Sequence, residues 1–178
     1  MNKKLHWITE TAVMLALLIA LQWAGSQIPE PLSKQLLTGS FVNAVLAVTV
    51  LVAGLGSGIT VALISPVLAY VLKIAPQPLT VPAIMIGNCI FVLLLYWIAG
   101  KDSRKVFRQV LAWLVAAGTK FAALYAIVVW LICGVINPNA PKALTATFSW
   151  PQLVTALIGG GVALLIVPLI RKALKRNI

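Results

Sequence analysis

The residues of this sequence that could take part in chemistry are a few polar side chains set within long apolar runs. Asn43 and Asn88 each stand alone in such a run, and Lys120 interrupts a third one. Burying a polar group in apolar surroundings is unfavourable unless a partner or a ligand satisfies it. These three residues are therefore the first candidates for a binding site.

The usual catalytic sets are missing from the sequence. Glu10, Glu30 and Asp102 are the three acidic residues and are far apart, and His6 is the one histidine. They predict neither paired carboxylates for acid–base chemistry nor a Ser–His–Asp triad. The glycines at 54, 56 and 58 lack the lysine of a phosphate-binding loop. We predict a protein that is not an enzyme, with no catalytic residue, no metal site and no cofactor bound by this chain.

Composition predicts an integral membrane protein. The chain has 178 residues, of which 61% are hydrophobic and 10% charged, with a mean hydropathy of +1.03. Soluble domains carry about 25% charged residues. The net charge of +11 would suggest nucleic-acid binding in a soluble protein. Here the basic residues form short clusters between apolar runs, which is typical of membrane proteins, so no nucleic-acid partner is predicted.

Six apolar runs approach the roughly 20 residues that a membrane-spanning helix needs. The second and third are divided by Gly54, Gly56 and Gly58, which favour a tight reversal over one very long helix. The predicted fold is one all-α domain, residues 1–178, with six transmembrane helices. The predicted spans are Trp7–Ala24, Leu36–Ala53, Ile59–Ile74, Val81–Ala99, Val110–Cys133 and Pro151–Ile170.

The distribution of basic residues predicts the orientation. An even number of spans places both termini on one side, and cytoplasmic segments are enriched in Lys and Arg. The opposite side carries Lys34, Lys73 and Lys142. We therefore predict cytoplasmic termini, and we interpret the first run as a helix because it is long for a cleavable signal peptide. The ten residues on the cytoplasmic side are Lys3, Lys4, Lys101, Arg104, Lys105, Arg108, Arg171, Lys172, Lys175 and Arg176.

Polar and open positions of four spans fall in one layer, about 10 Å below the outer ends of the helices. This layer predicts a ligand pocket. Asparagine in a membrane span can equally join two helices, and glycine can serve close helix contact, so both interpretations stay open. The predicted pocket residues are Asn43, Asn88, Tyr125, Thr155, Gly159 and Gly160.

Lys120 lies near the middle of the fifth span, where a lysine is by default a functional hypothesis. Its amine has three possible partners. They are an anionic or carbonyl-rich ligand, the backbone carbonyls of a partner subunit, and the cytoplasmic headgroups about 16 Å away by helix rise. We include Lys120 among the predicted substrate-binding residues.

The first helix carries alanine at every fourth position, at Ala12, Ala16 and Ala20. Such a smooth face serves either packing within the bundle or docking of another membrane subunit. Residues 25–35 and 134–150 form outer segments that could cover a pocket. Pro66 is expected to kink the third span.

The chain resembles the substrate-binding S-components of energy-coupling factor (ECF) transporters, which take up vitamins in bacteria. The resemblance covers the whole chain and rests on its length, its six spans, the alanine face and three segments. These segments are LTGSFVN at 37–43, SPVLA at 65–69 and PAIMIGN at 82–88.

The resemblance implies a mechanism. An S-component captures a vitamin from outside and topples in the bacterial plasma membrane after docking on a transmembrane coupling protein, the T-component. Two partner ATPases hydrolyse ATP with the help of Mg²⁺, and Ala12, Ala16 and Ala20 match the docking face. The segments favour cobalamin as the vitamin, followed by pantothenate or hydroxymethylpyrimidine. A stand-alone transporter and a ligand-free scaffold subunit remain as alternatives.

Overall fold

A computed structural model of the chain describes residues 3–74, 77–99 and 106–174. Every regular element in these ranges is helical. Five of the ten residues that predicted the cytoplasmic side lie outside the described residues, as does one of the three acidic residues. They are Lys101, Arg104, Lys105, Lys175 and Arg176, together with Asp102.

The structure contains the six predicted helices. Five are long and apolar enough to span a bilayer, and the third, α3, is shorter at 17 residues. The fifth, α5, continues as a π-helical segment, and a short helix, α6, precedes the last one. The elements are α1 Lys3–Ser26, α2 Pro31–Val52, α3 Leu55–Val71, a 3₁₀ turn Pro78–Thr80, α4 Val81–Ala99, α5 Val106–Leu124, the π-helical segment Tyr125–Ile136, α6 Lys142–Thr147 and α7 Trp150–Ala173.

The predicted reversal between the second and third spans is confirmed. α2 ends at Val52, and Gly54 adopts a φ of +91°, which glycine tolerates better than other residues. Gly58 is needed for close helix packing and not for a turn. A Cβ atom there would lie 2.8 Å from Val92 and 2.9 Å from Val50, so its lack of a side chain lets α3 pack closely on α2 and α4.

α2 lies at the centre of the bundle and contacts α1, α3, α4 and α7. Its second half is almost wholly buried, and Leu46 packs in the main apolar core with Leu18, Phe91 and Leu95. Glu30 is the N-cap of α2. Its carboxylate accepts hydrogen bonds from the backbone N–H groups of Leu32 and Ser33. The pKa of Glu30 lies below its ordinary value, because its carboxylate accepts hydrogen bonds from the side chain and backbone of Ser33 and from the backbone of Leu32.

Successive helices alternate in direction, so the α1–α2 connection, the α3–α4 connection and α6 lie at one end of the bundle, hereafter the α6 end. Residues 134–150 were predicted as an outer loop. The structure differs, because the π-helical segment extends to Ile136 and α6 occupies 142–147. Leu144 and Phe148 bury their side chains in a second apolar cluster with Leu124, Val128 and Ile132. This packing holds α6 across the end of the bundle.

Candidate binding site

The centre of the site is a buried hydrogen-bonded cluster on three helices. The Lys120 Nζ atom on α5 donates to Asn43 Oδ1 on α2 at 2.6 Å and to Asn88 Oδ1 on α4 at 2.7 Å. Lys120 is 3% exposed and each asparagine 1%. The ammonium also lies 5.3 Å from the centre of the Phe91 ring, within cation–π range. The amine therefore points into the bundle and extends neither to the helix ends nor to the outer surface.

Neighbouring groups determine the orientation of the Asn43 amide. Its Nδ2 atom donates to the Gly39 carbonyl at 2.8 Å and to Thr155 Oγ1 at 3.3 Å. Thr155 Oγ1 in turn donates to the Gln152 carbonyl at 3.1 Å. With Nδ2 held in this way, Oδ1 faces the lysine. Thr155 is fully buried and acts on the cluster through Asn43.

A cavity of about 110 Å³ lies between this cluster and the α6 end. It is formed by the α6-end halves of the long helices together with α6. Besides Asn43, Asn88 and Lys120, its polar lining consists of Gln22, Gln35, Thr38, Ser65, Thr147 and Gln152. Its apolar wall includes Val42, Pro66, Ala69, Ile74, Ile84, Leu124 and Phe148.

Several polar atoms of the cavity wall are buried without a hydrogen-bond partner. They are Asn88 Nδ2, Gln22 Oε1, Thr38 Oγ1 and Ser65 Oγ. Leaving a buried donor or acceptor unpaired costs about 1–3 kcal/mol, and most such groups in folded proteins are paired. The four residues that carry these atoms all line one cavity, which indicates a place where a polar molecule can complete the hydrogen bonding after small side-chain shifts.

A second, wider space of about 680 Å³ adjoins the cavity. The two share Gln35, Thr38, Ile74 and Thr147 as lining residues. The wider space, hereafter the vestibule, is also lined by Lys34, Tyr70 and Lys73, and it leads from the cavity towards the α6 end.

Four of the predicted pocket residues come together: Asn43, Asn88, Lys120 and Thr155. Gly159 and Gly160 serve helix packing and do not line the cavity. A Cβ at 159 would lie 2.4 Å from the Ser40 carbonyl oxygen on α2, and one at 160 would lie 2.2 Å from the Trp113 ring. Gly159 thus lets α7 approach α2, which brings Thr155 within reach of Asn43.

Tyr125 lies outside the cavity. It is 45% exposed, and its ring packs beside Phe121 with 6.0 Å between ring centres. Five residues along a helix correspond to about 140° of rotation, so a residue at 125 is directed away from the face that carries Lys120. The prediction for Tyr125 used its depth along the span and did not consider its side of the helix.

The sequence reasoning missed several residues of the wall. Gln22 and Ser65 were detectable, because each is a polar residue in an apolar helix. Thr147 and Phe148 reach the cavity only because α6 folds over the end of the bundle, and the sequence pattern gave no signal for this.

The alanines of α1 lie on the surface of the bundle. Ala12, Ala16 and Ala20 are exposed and line an apolar groove between α1 and α3, beside Leu68 and Leu72. The buried side of α1 carries Thr11, Leu18 and Gln22 instead. Of the two interpretations of this face, packing inside the bundle is therefore wrong.

Comparison with known families gives a match to the one described as ECF transporter, substrate-specific component, over residues 7–171. The chain belongs to this family. It is therefore a multi-pass membrane protein and a substrate-binding subunit of an ECF transporter, a transport component and not an enzyme. No curated protein and no solved structure matches the chain.

Proposed function

We propose that the cavity above Lys120 binds the substrate that the transporter imports. The observation that supports this is the set of lining residues that carry unpaired, buried polar atoms, Asn88 foremost, in a chain of the substrate-specific family. The entry faces the outside of a bacterial plasma membrane. The basic residues Lys4, Arg108, Arg171 and Lys172, which the structure describes at the opposite end of the bundle, support this orientation.

The substrate that we propose is a small, water-soluble vitamin. The resemblance in sequence favours cobalamin, but an inner cavity of about 110 Å³ is too narrow for a corrin ring. A cavity of about 150 Å³ admits benzene. The inner cavity is smaller than that, so it admits one end of a slender molecule while the adjoining vestibule holds the rest, which favours pantothenate or hydroxymethylpyrimidine.

Delivery requires partners, because this chain offers no site for ATP in its sequence. A T-component binds the groove beside Ala12, Ala16 and Ala20, and two ATPases that use ATP and Mg²⁺ drive toppling of the loaded subunit. The exposure of these alanines supports docking, since small side chains let two membrane helices approach closely. Toppling is easiest for a bundle with few charges in its spans.

The test begins with mass spectrometry of small molecules that remain bound to the purified protein, followed by calorimetric titration. Asn88→Leu removes an amide from the cavity wall and is expected to weaken binding by at least about tenfold. Cys89→Ala, at the next position of α4 and outside the cavity lining, is the matched control and is expected to bind as the native protein does.

Three results contradict the proposal. Unchanged affinity in Asn88→Leu removes the cavity from substrate binding. A protein that neither retains nor binds any small molecule is a scaffold subunit. Uptake by this chain alone in liposomes, without ATP or partners, identifies a stand-alone transporter.

A further inference from the structure

We infer that the substrate is an anion, and that its carboxylate binds at the base of the cavity between Lys120 and Asn88. This inference rests on the proposed function, since it concerns the molecule that the same cavity holds. It adds a chemical class, a small monocarboxylate, which membership of the family does not specify.

The base of the cavity offers hydrogen-bond donors. A lysine ammonium has three N–H groups, and two of those of Lys120 are used by Asn43 Oδ1 and Asn88 Oδ1. Lys120 and Asn88 both line the cavity, and the Nδ2 atom of Asn88 is buried without a hydrogen-bond partner. A carboxylate is acceptor-only and can take one N–H from each of these groups. Both asparagine oxygens are directed at the ammonium, so the site is built around a positive charge.

That charge has no acidic partner in the part of the chain that the structure describes. Of the carboxylates there, Glu10 lies 3.1 Å from His6 near the start of α1, and Glu30 caps α2. A buried charge is strongly unfavourable unless it is paired as well as hydrogen-bonded. Amide oxygens solvate the ammonium only in part, and a ligand carboxylate supplies the missing countercharge.

The vestibule, through which a ligand reaches the cavity, is positively charged like Lys120. Lys34 and Lys73 line the vestibule, and no acidic residue among the described ones lines either the vestibule or the cavity. These two lysines lie at the end of the bundle away from Arg108, Arg171 and Lys172. A cleft lined by one sign of charge raises the local concentration of oppositely charged ligands and their association rate. The vestibule therefore guides anions towards Lys120.

The residues that line the cavity nearer the vestibule indicate which groups the rest of the ligand carries. Gln35, Thr38 and Gln152 line the cavity above the cluster, beside apolar Val42 and Phe148. These side chains suit a ligand whose remaining part is short, carries hydroxyl or amide groups, and includes a few apolar carbon atoms. A compact molecule with a carboxylate at one end matches both the narrow base and the wider vestibule.

The first experiment compares probes that differ only at the acid group, titrated calorimetrically against the purified full-length protein in detergent. Pantothenate is paired with pantothenol, and nicotinate with nicotinamide. We expect a carboxylate to bind at least about 100-fold more tightly than its neutral counterpart. A neutral probe that binds as tightly as its acid overturns the inference.

The second experiment changes the protein. Lys120→Met keeps an unbranched side chain, one atom shorter than lysine and without its charge. It is expected to weaken binding of the carboxylate by at least about 100-fold, with little effect on the neutral counterpart. The double variant Lys34→Gln/Lys73→Gln is expected to slow association by about tenfold and to reduce its dependence on salt. Lys142→Gln is the matched control, because Lys142 is at the same end but lines neither space.

The outcomes separate this inference from the proposed function. If Lys120→Met does not fold, the probe pairs on the native protein and the vestibule variant still decide. A neutral molecule that remains bound through purification, or full affinity for the carboxylate in Lys120→Met, overturns the inference and leaves the proposed function standing. Failure to retain or bind any small molecule overturns both.

Discussion

Two sets of small residues, one on α1 and one on α7, have opposite environments in the structure. The alanines of α1, at 12, 16 and 20, are exposed along a groove on the surface. The glycines of α7, at 159 and 160, are buried against α2 and Trp113. Small residues therefore indicate that two surfaces approach closely, but not whether the second surface belongs to the same chain.

The difference has consequences for the site. Because Gly159 allows α7 to contact the backbone of α2, it brings Thr155 to Asn43 and so orients the amide that faces Lys120. The alanines contact no part of this cluster. A change at a glycine should therefore damage the fold and the site together, whereas a change at an alanine should damage only what the bundle does with a partner.

The largest effect is expected from Gly159→Leu. A Cβ here would lie 2.4 Å from the Ser40 carbonyl oxygen and 2.7 Å from Asn43 Cβ, so α2 and α7 must separate. We expect loss of folded protein, measured as the yield of monodisperse material in size-exclusion chromatography. Gly118→Leu is the control, because a Cβ at 118 meets nothing within 4 Å. A folded Gly159→Leu protein of normal thermal stability would contradict the close α2–α7 contact.

Ala16→Trp is expected to abolish uptake by cells that contain the partner subunits, because a bulky ring fills the groove. Affinity for the substrate and the melting temperature should stay unchanged, since Ala16 is exposed and distant from the cavity lining. Leu17→Trp, an exposed position of the same helix outside the groove, serves as the control. Loss of affinity together with uptake would place the alanines in the internal fold.

A smaller effect is expected from Gly160→Ala. The added methyl group would lie 2.2 Å from the Trp113 ring, which must shift and weaken its hydrogen bond from Nε1 to the Ala156 carbonyl. A loss of about 1 kcal/mol corresponds to a melting temperature lowered by about 2–4 °C. Thermal unfolding measures this, with affinity changed by less than about threefold. Unchanged stability would mean that Trp113 yields without cost.

The smallest effect is expected from Gly118→Ala, the control for the previous variant. Open space surrounds a Cβ at this position, so no contact is lost, and alanine favours the helix over glycine. The melting temperature should stay the same or rise slightly. A fall comparable to that of Gly160→Ala would show that glycine content, and not the contact with Trp113, determines the stability of these helices.

Much of the site was predictable because polar residues are rare in this chain. Asn43, Asn88 and Lys120 each stood out within an apolar run, and counting residues from the ends of the runs predicted one layer for the two asparagines and the middle of the span for Lys120. That they bind one another was not predictable, because the rotation of each helix about its own axis depends on packing. Tyr125 illustrates this: it was predicted from its depth along the span, and in the structure it lies outside the cavity.

The sequence alone determined that the chain is a helical membrane protein, because an excess of apolar residues in runs of bilayer length admits few other structures. It also determined where α2 and α3 divide, since glycine tolerates the φ of +91° at position 54. Tertiary structure alone decided which small residues face a neighbouring helix and how α6 closes the end of the bundle. It also decided that a buried lysine is held by two amides beside a cavity. These features depend on contacts between residues distant in sequence, and such contacts form only when whole helices pack.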